Sequence, residues 1–128
     1  MQMNGYHHIG LITDDSARSL KFYTEGLGGK VVHSFPMGGS DKIIYLVDLG
    51  GNAVIEIIPR GNDGEEANAR FAHIAIRVDD ARAAFAKALS VGAKEKTAPN
   101  DLSLGTMPVC IAFVLGPDGE TLEFFQVK

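Results

Sequence analysis

The sequence predicts an α+β fold made of two copies of one strand–helix–strand–strand–strand module, and three observations predict it. The first is an internal repeat. His8-Ile9-Gly10-Leu11-Ile12-Thr13-Asp14-Asp15 returns as His73-Ile74-Ala75-Ile76-Arg77-Val78-Asp79-Asp80, an offset of 65, and a near-fixed offset is the mark of duplication. The second is that the likeness persists downstream. Ala17-Arg18 matches Ala81-Arg82, Ile44-Tyr45-Leu46-Val47 matches Ile111-Ala112-Phe113-Val114, and Val54-Ile55-Glu56-Ile57-Ile58 matches Thr121-Leu122-Glu123-Phe124-Phe125. The third is the hydrophobic pattern, in which one helical stripe per copy stands among short runs of strand character.

Composition bounds what the modules can build. With 128 residues, 45% of them hydrophobic, the chain suits a single domain over 1–128, made of a first module 1–60, a linker 61–69 and a second module 70–128. A net charge of -4 gives no basic footprint for nucleic acid and no attraction to an anionic membrane. No apolar run approaches the ~20 residues that span a bilayer. The opening Met1-Gln2-Met3-Asn4-Gly5 has neither the charged nor the apolar part of a signal peptide. A cytoplasmic protein is expected. Cys110 is the one cysteine, set in Val109-Cys110-Ile111-Ala112-Phe113, and reads as a buried, inert thiol.

Taken in order, Tyr6–Thr13 alternates as a strand, with His8, Gly10 and Ile12 on one face. Asp14, Asp15 and Ser16 offer side-chain oxygens to cap a helix whose core face is Ala17, Leu20, Tyr23 and Leu27. Gly26, Gly28 and Gly29 end it. A strand near Lys30–Phe35 leads to a turn or mobile loop, Pro36–Asp41. Lys42–Leu49 and Asn52–Ile58 then pair as a hairpin around Gly50-Gly51. The polar stretch Pro59–Ala69 joins the copies. Phe71–Val78 repeats the first strand, and Asp79 or Asp80 caps a helix with the stripe Ala81, Ala84, Phe85, Ala88 and Leu89, which Gly92 stops. Lys94–Ala98 reads as a short strand and Pro99–Pro108 as a loop. Val109–Leu115 and Glu120–Val127 pair across Gly116-Pro117-Asp118-Gly119.

Four polar residues interrupt the apolar strands: His8 and His73 in the first strand of each copy, Glu56 and Glu123 in the last. A carboxylate left ionised in such surroundings costs several kcal/mol unless it is paired or bound to a cation. Taken singly, a strand His is usually hydrogen-bonded and a strand Glu solvated, and either Glu could pair with Arg60 or Arg77. The joint pattern is different, because duplication brings equivalent positions together around a pseudo-axis. Two imidazoles and two carboxylates make a mixed N/O set for one divalent ion, Zn or Ni above all, with Co, Mn or Fe also suited. His7 and His33 read as structural or supporting residues, Phe22 and Tyr23 as core, and Met37 and Met107 as loop residues that could wall a pocket.

The motifs His8-x-x-Leu11, Ser19-x-x-Phe22-Tyr23 running to Leu27-Gly28, and Pro117-Asp118-Gly119-x-x-x-Glu123 resemble the vicinal oxygen chelate (glyoxalase/bleomycin resistance/dioxygenase) superfamily across essentially the whole chain. The likeness is nearest to its glyoxalase I-like (lactoylglutathione lyase) branch. It implies a glyoxalase-like fold, paired βαβββ modules whose sheets curve into a cup around a metal. By position it makes His8, Glu56, His73 and Glu123 metal ligands. A ligand at 56 separates the lyase and isomerase branches from relatives that use two His and one Glu. The implied reaction stabilises the enediolate of a hemithioacetal, with Glu123 moving the proton and Glu56 the alternative base. The implied partners are a small-molecule substrate, either a thiol adduct or an acyl thioester, and a second copy in a homodimer, whose sites can draw ligands from both chains. Three positions depart from the glutathione-gripping pattern: Leu11-Ile12-Thr13 carries no Arg, Ile57–Arg60 carries no Asn, and Leu104 replaces a basic residue. Arg60 could grip another anion or stand as a surface residue. The alternatives are an epimerase of a 2-substituted acyl thioester, like methylmalonyl-CoA epimerase, and a non-catalytic small-molecule-binding resistance protein.

Overall fold

A computed structural model of the chain describes residues 1–60, 70–116, 119 and 121–128. The expected linker 61–69 and the turn residues Pro117 and Asp118 lie outside the described residues. The elements run β1 (Met3–Thr13), α1 (Ser16–Lys21), a π-helical turn (Phe22–Gly26), β2 (Lys30–Pro36), β3 (Ile43–Asp48), β4 (Val54–Pro59), β5 (Arg70–Val78), α2 (Ala81–Ser90), β6 (Lys94–Leu104), β7 (Met107–Leu115) and β8 (Thr121–Val127). The α+β class and the twice-repeated βαβββ order are as the sequence predicts. Among the described residues no helix is long and apolar enough to cross a membrane.

Contacts group the chain into two compact units, His8–Ala72 and Met1–His7 with His73–Lys128. In the first unit β1 and β4 run parallel, and β4, β3 and β2 follow as an antiparallel series. The second unit repeats this plan: β5 parallel to β8, then β8, β7 and β6 antiparallel. Each unit packs its helix on one sheet face. In the first, Val47, Ile55 and Ile57 meet Leu20 and Tyr23. In the second, Ala81, Ala84, Phe85 and Ala88 meet Cys110, Ala112, Val114 and Phe124. The opposite face of each sheet is left for other work.

The caps are equivalent. Asp15 accepts from the Arg18 amide at 3.0 Å and Asp80 from the Ala83 amide at 3.0 Å, satisfying donors that the first helical turn leaves orphaned. At the end of α1 the structure departs from expectation. The Thr24 hydroxyl donates to the Leu20 carbonyl at 2.7 Å, a back-bond that competes with the amide ladder. The Leu27 amide bonds five residues back, to Phe22. The wider π turn changes the angular phase beyond it, so Leu27 is 62% exposed; Ala17 and Phe22 are exposed as well, and Leu20 and Tyr23 keep the core face. Gly29 closes the turn in a tight space: a Cβ there would stand 2.5 Å from the Tyr23 carbonyl oxygen and 2.9 Å from Val47.

Three further expectations are corrected. Leu89 lies at the margin of the α2 stripe and is exposed. Pro99–Pro108 is not a loop, because β6 runs unbroken to Leu104 and turns at Gly105-Thr106 into β7, so Met107 is a strand residue. Among the described residues β6 pairs only with β7, and it is exposed along most of its length, so no alternation marks it. Register shifts between Glu95 and Thr97 and between Thr97 and Asn100 absorb Pro99, which lacks a ladder donor. β1 also begins earlier than expected, at Met3. Cys110 is buried and free, as expected; burial pushes its thiol up, and the Arg82 guanidinium donates to its sulfur at 3.1 Å.

Candidate metal centre

Register alone explains why each unit brings its His and Glu together. In the first unit Gly10 stands opposite Glu56 on parallel strands, and His8, two residues earlier, shares the face of Gly10. The imidazole leans along the strand, and its Nε2 lies 3.4 Å from Glu56 Oε1. The second unit repeats this: Ala75 stands opposite Glu123, and Nε2 of His73, two residues earlier, lies 3.2 Å from Glu123 Oε1. The small residues Gly10 and Ala75 leave room for the diagonal approach. His8, Glu56 and Glu123 are buried, and the His73 side chain is 10% exposed.

The donor set fits a divalent ion. A charge-assisted N–H···O bond is about 2.7–2.9 Å long, shorter than either separation here. Ligands bound at about 2.0–2.2 Å to one ion, at angles between octahedral and tetrahedral, stand about 3.0–3.5 Å apart. Both His–Glu separations fall in that range. Neutral imidazole and carboxylate are the ligands that Zn, Ni and their neighbours accept, and a bound cation would offset the cost of burying the carboxylates.

The surroundings are apolar. Leu46, 3% exposed, stands opposite Glu56 on β3. The Phe113 ring meets His73 edge-on, with centroids 5.8 Å apart, and stands opposite Glu123 on β7. Sequence reading missed Phe113, although its position opposite Glu123 in the predicted hairpin was a usable signal. Leu104 packs with Ala75, Val109 and Phe125, an apolar cluster on the sheet face that carries Glu123. His7 stacks on Phe125 with centroids 3.9 Å apart, which gives it a packing role on the strand face that carries Glu123. Arg60 pairs through its Nε with Asp14. With Asp14, Leu20, Lys42 and Tyr45 it lines a recess of about 420 Å³ on the helix-bearing face of the sheet, away from Glu56. Nothing in the sequence signalled Asp14 as its partner.

The twice-repeated βαβββ units, each with a His–Glu pair, define a glyoxalase-type fold. The chain belongs to the Glyoxalase/Bleomycin resistance protein/Dioxygenase superfamily, whose profile matches residues 5–124. The uncharacterized protein YwbC of Bacillus subtilis is 32% identical over 126 residues, covering 93% of this chain and 94% of that one. The lactoylglutathione lyase of Escherichia coli O157:H7 is 32% identical over 125 residues, covering 94% and 91%. The crystal structure of methylmalonyl-CoA epimerase from Mycobacterium tuberculosis shares the fold, with a TM-score of 0.79 at 20% identity over 97% of this chain and 88% of that one.

Proposed function

We propose that this protein is a metal-dependent lyase of the glyoxalase I type, in which His8, Glu56, His73 and Glu123 hold one divalent ion and the substrate is a hemithioacetal. The observation that carries the reading is the repetition of one His–Glu geometry at one register in both units. Similarity to a lactoylglutathione lyase over nearly the whole chain supports it. The ion, Zn or Ni first, would act as a Lewis acid on two adjacent substrate oxygens and stabilise the negative charge that develops there.

The chain's own residues supply the rest. The imidazoles would hold the ion as neutral ligands, and the two carboxylates would balance its charge. A carboxylate has two oxygens, so Glu123 can use one to take the proton from the carbon bearing the hydroxyl and return it to its neighbour. The Phe113 ring, edge-on to His73 and opposite Glu123, shields that transfer from water. Each site is completed either within one chain or between two copies in a homodimer.

A second reading, an epimerase of a 2-substituted acyl thioester, is favoured by one observation: Leu104 sits in an apolar cluster where a glutathione-gripping cation would stand. Proton removal and return at one carbon uses the same groups. The deciding experiment is thioester formation from methylglyoxal and glutathione by metal-free protein and by protein reloaded with Ni or Zn. Turnover with one metal and none without it is the expected result. Silence with the metal demonstrably bound discards that substrate, and hydrogen–deuterium exchange at C2 of methylmalonyl-CoA then tests the epimerase. Tight small-molecule binding that survives both metal removal and Glu123→Gln would instead indicate a non-catalytic binding protein.

A further inference from the structure

The outer strand of the first unit carries a residue whose orientation depends on a break in register. Val31 stands opposite Val47, whose side chain faces α1. With regular alternation His33 would face the same way. The register slips by one residue between Val31 and His33, so that His33 stands opposite Leu46 instead, and Leu46 stands opposite Glu56. A bulge of this kind re-aims a side chain and is common beside active sites. Here it lines up His33, Leu46 and Glu56 across β2, β3 and β4, on the face that also carries His8. It leaves Val31 and Val32 45% and 56% exposed, so apolar burial does not account for it.

The second unit has the same break. Its register slips between Glu95 and Thr97, which sets Thr97 opposite Phe113 and Phe113 opposite Glu123. In both units, therefore, a bulge turns a polar residue onto the ligand face, two strands from the glutamate, with an apolar side chain between. His33 is half-buried beside Phe35, with ring centroids 5.7 Å apart, on a strand face otherwise apolar at Phe35, Ile44 and Leu46.

We infer that His33 is a specificity-determining residue that hydrogen-bonds the far end of a metal-anchored substrate, beyond the apolar floor formed by Leu46. Two strand spacings are about 10 Å, too far for a ligand of the same ion and a suitable reach for a substrate contact. The substrate class this selects has a metal-binding pair of oxygens, an apolar middle, and a hydrogen-bonding group such as a carboxylate at the other end. A bare small ketoaldehyde does not reach it. The inference rests on the metal site proposed above.

The test uses the full chain reloaded with Ni and two hydroxamates, which chelate through adjacent oxygens. Acetohydroxamate is the short probe. The monohydroxamate of suberic acid carries a carboxylate across roughly two strand spacings. His33→Ala is expected to weaken the long probe roughly 5- to 10-fold, the effect of one hydrogen bond, and to leave metal stoichiometry and the short probe unchanged. His33→Gln keeps a donor and is expected to recover part of the loss. Equal affinity of parent and both variants for the long probe overturns the inference while leaving the metal site intact. A parent protein that binds neither Ni nor acetohydroxamate removes the metal reading and this inference together.

Discussion

The first unit backs its His–Glu pair with six α-helical residues and a π turn, none of them fully buried, against a cluster of three buried side chains. The second backs its pair with ten helical residues, four of them buried, in a cluster of nine. The two scaffolds are unequal, yet the His–Glu separations differ by only 0.2 Å, 3.4 against 3.2. The pair geometry therefore depends on parallel strand register and on the small residue beside each His, more than on how well the helix packs behind the sheet. That separation of tasks leaves the helices free to diverge.

The sharpest way to break the equivalence is at the proposed ligands. His8→Ala and His73→Ala are each expected to abolish stoichiometric divalent-metal binding, measured by elemental analysis after dialysis. Loss in one variant with full retention in the other would show that the two pairs do not serve one ion. The glutamates are expected to differ. Glu123→Gln should lower kcat by at least roughly 100-fold, the usual scale of general-base removal, and Glu56→Gln should act more through metal affinity. Equal kcat losses at equal metal occupancy would remove the distinct base role of Glu123.

Most of the comparison was already visible in the sequence. Repetition of His–Ile–small–aliphatic followed by Asp-Asp gave both first strands and both caps, and glutamate in an apolar run marked both last strands. What escaped was whatever depended on a partner distant in sequence or on a local break in periodicity. β6 lies exposed along one edge of its pairing and so shows no alternation. Leu27 fits a helical stripe until the Thr24 back-bond widens the turn beneath it. Arg60 gives no sign of Asp14, 46 residues away in sequence. The bulge at His33 is invisible for the same reason, since a register slip is a property of two strands and not of one.

The next largest effect should separate the helices. Phe85 is 9% exposed inside the second unit's cluster, and Phe85→Ala is expected to cost about 3–5 kcal/mol in urea unfolding. Leu20 is only partly buried against the smaller cluster, so Leu20→Ala should fall near about 2 kcal/mol, the low end for such truncations. If the two costs prove equal, α1 packs more firmly than its burial shows. A change in metal affinity with Leu20→Ala at unchanged fold would contradict the claim that strand register and the small residue beside each His, more than helix packing, set the pair.

The smallest effect lies at the surface, and it should be confined to the second unit. There Asp101 on β6 accepts two bonds from Arg82 on α2, at 3.1 and 3.2 Å, and one from Lys128 at 3.1 Å. In the first unit the matching distance along the chain has already reached the turn at Met37. The Arg82 guanidinium first, and then the Lys128 ammonium, hold the Asp101 carboxyl at about 2 rather than its ordinary 3.8. A depressed carboxylate contributes its full stabilisation above the ordinary value and loses it as the pH falls through the folded one. The loss therefore belongs between about pH 4 and pH 2. Because the cluster is exposed, salt should screen it. Urea midpoints across that window are expected to fall less steeply for Asp101→Asn than for the parent, and the difference should shrink in molar salt. An unchanged slope would mean that α2 holds β6 through the buried face alone, making the second unit's advantage one of packing and not of charge.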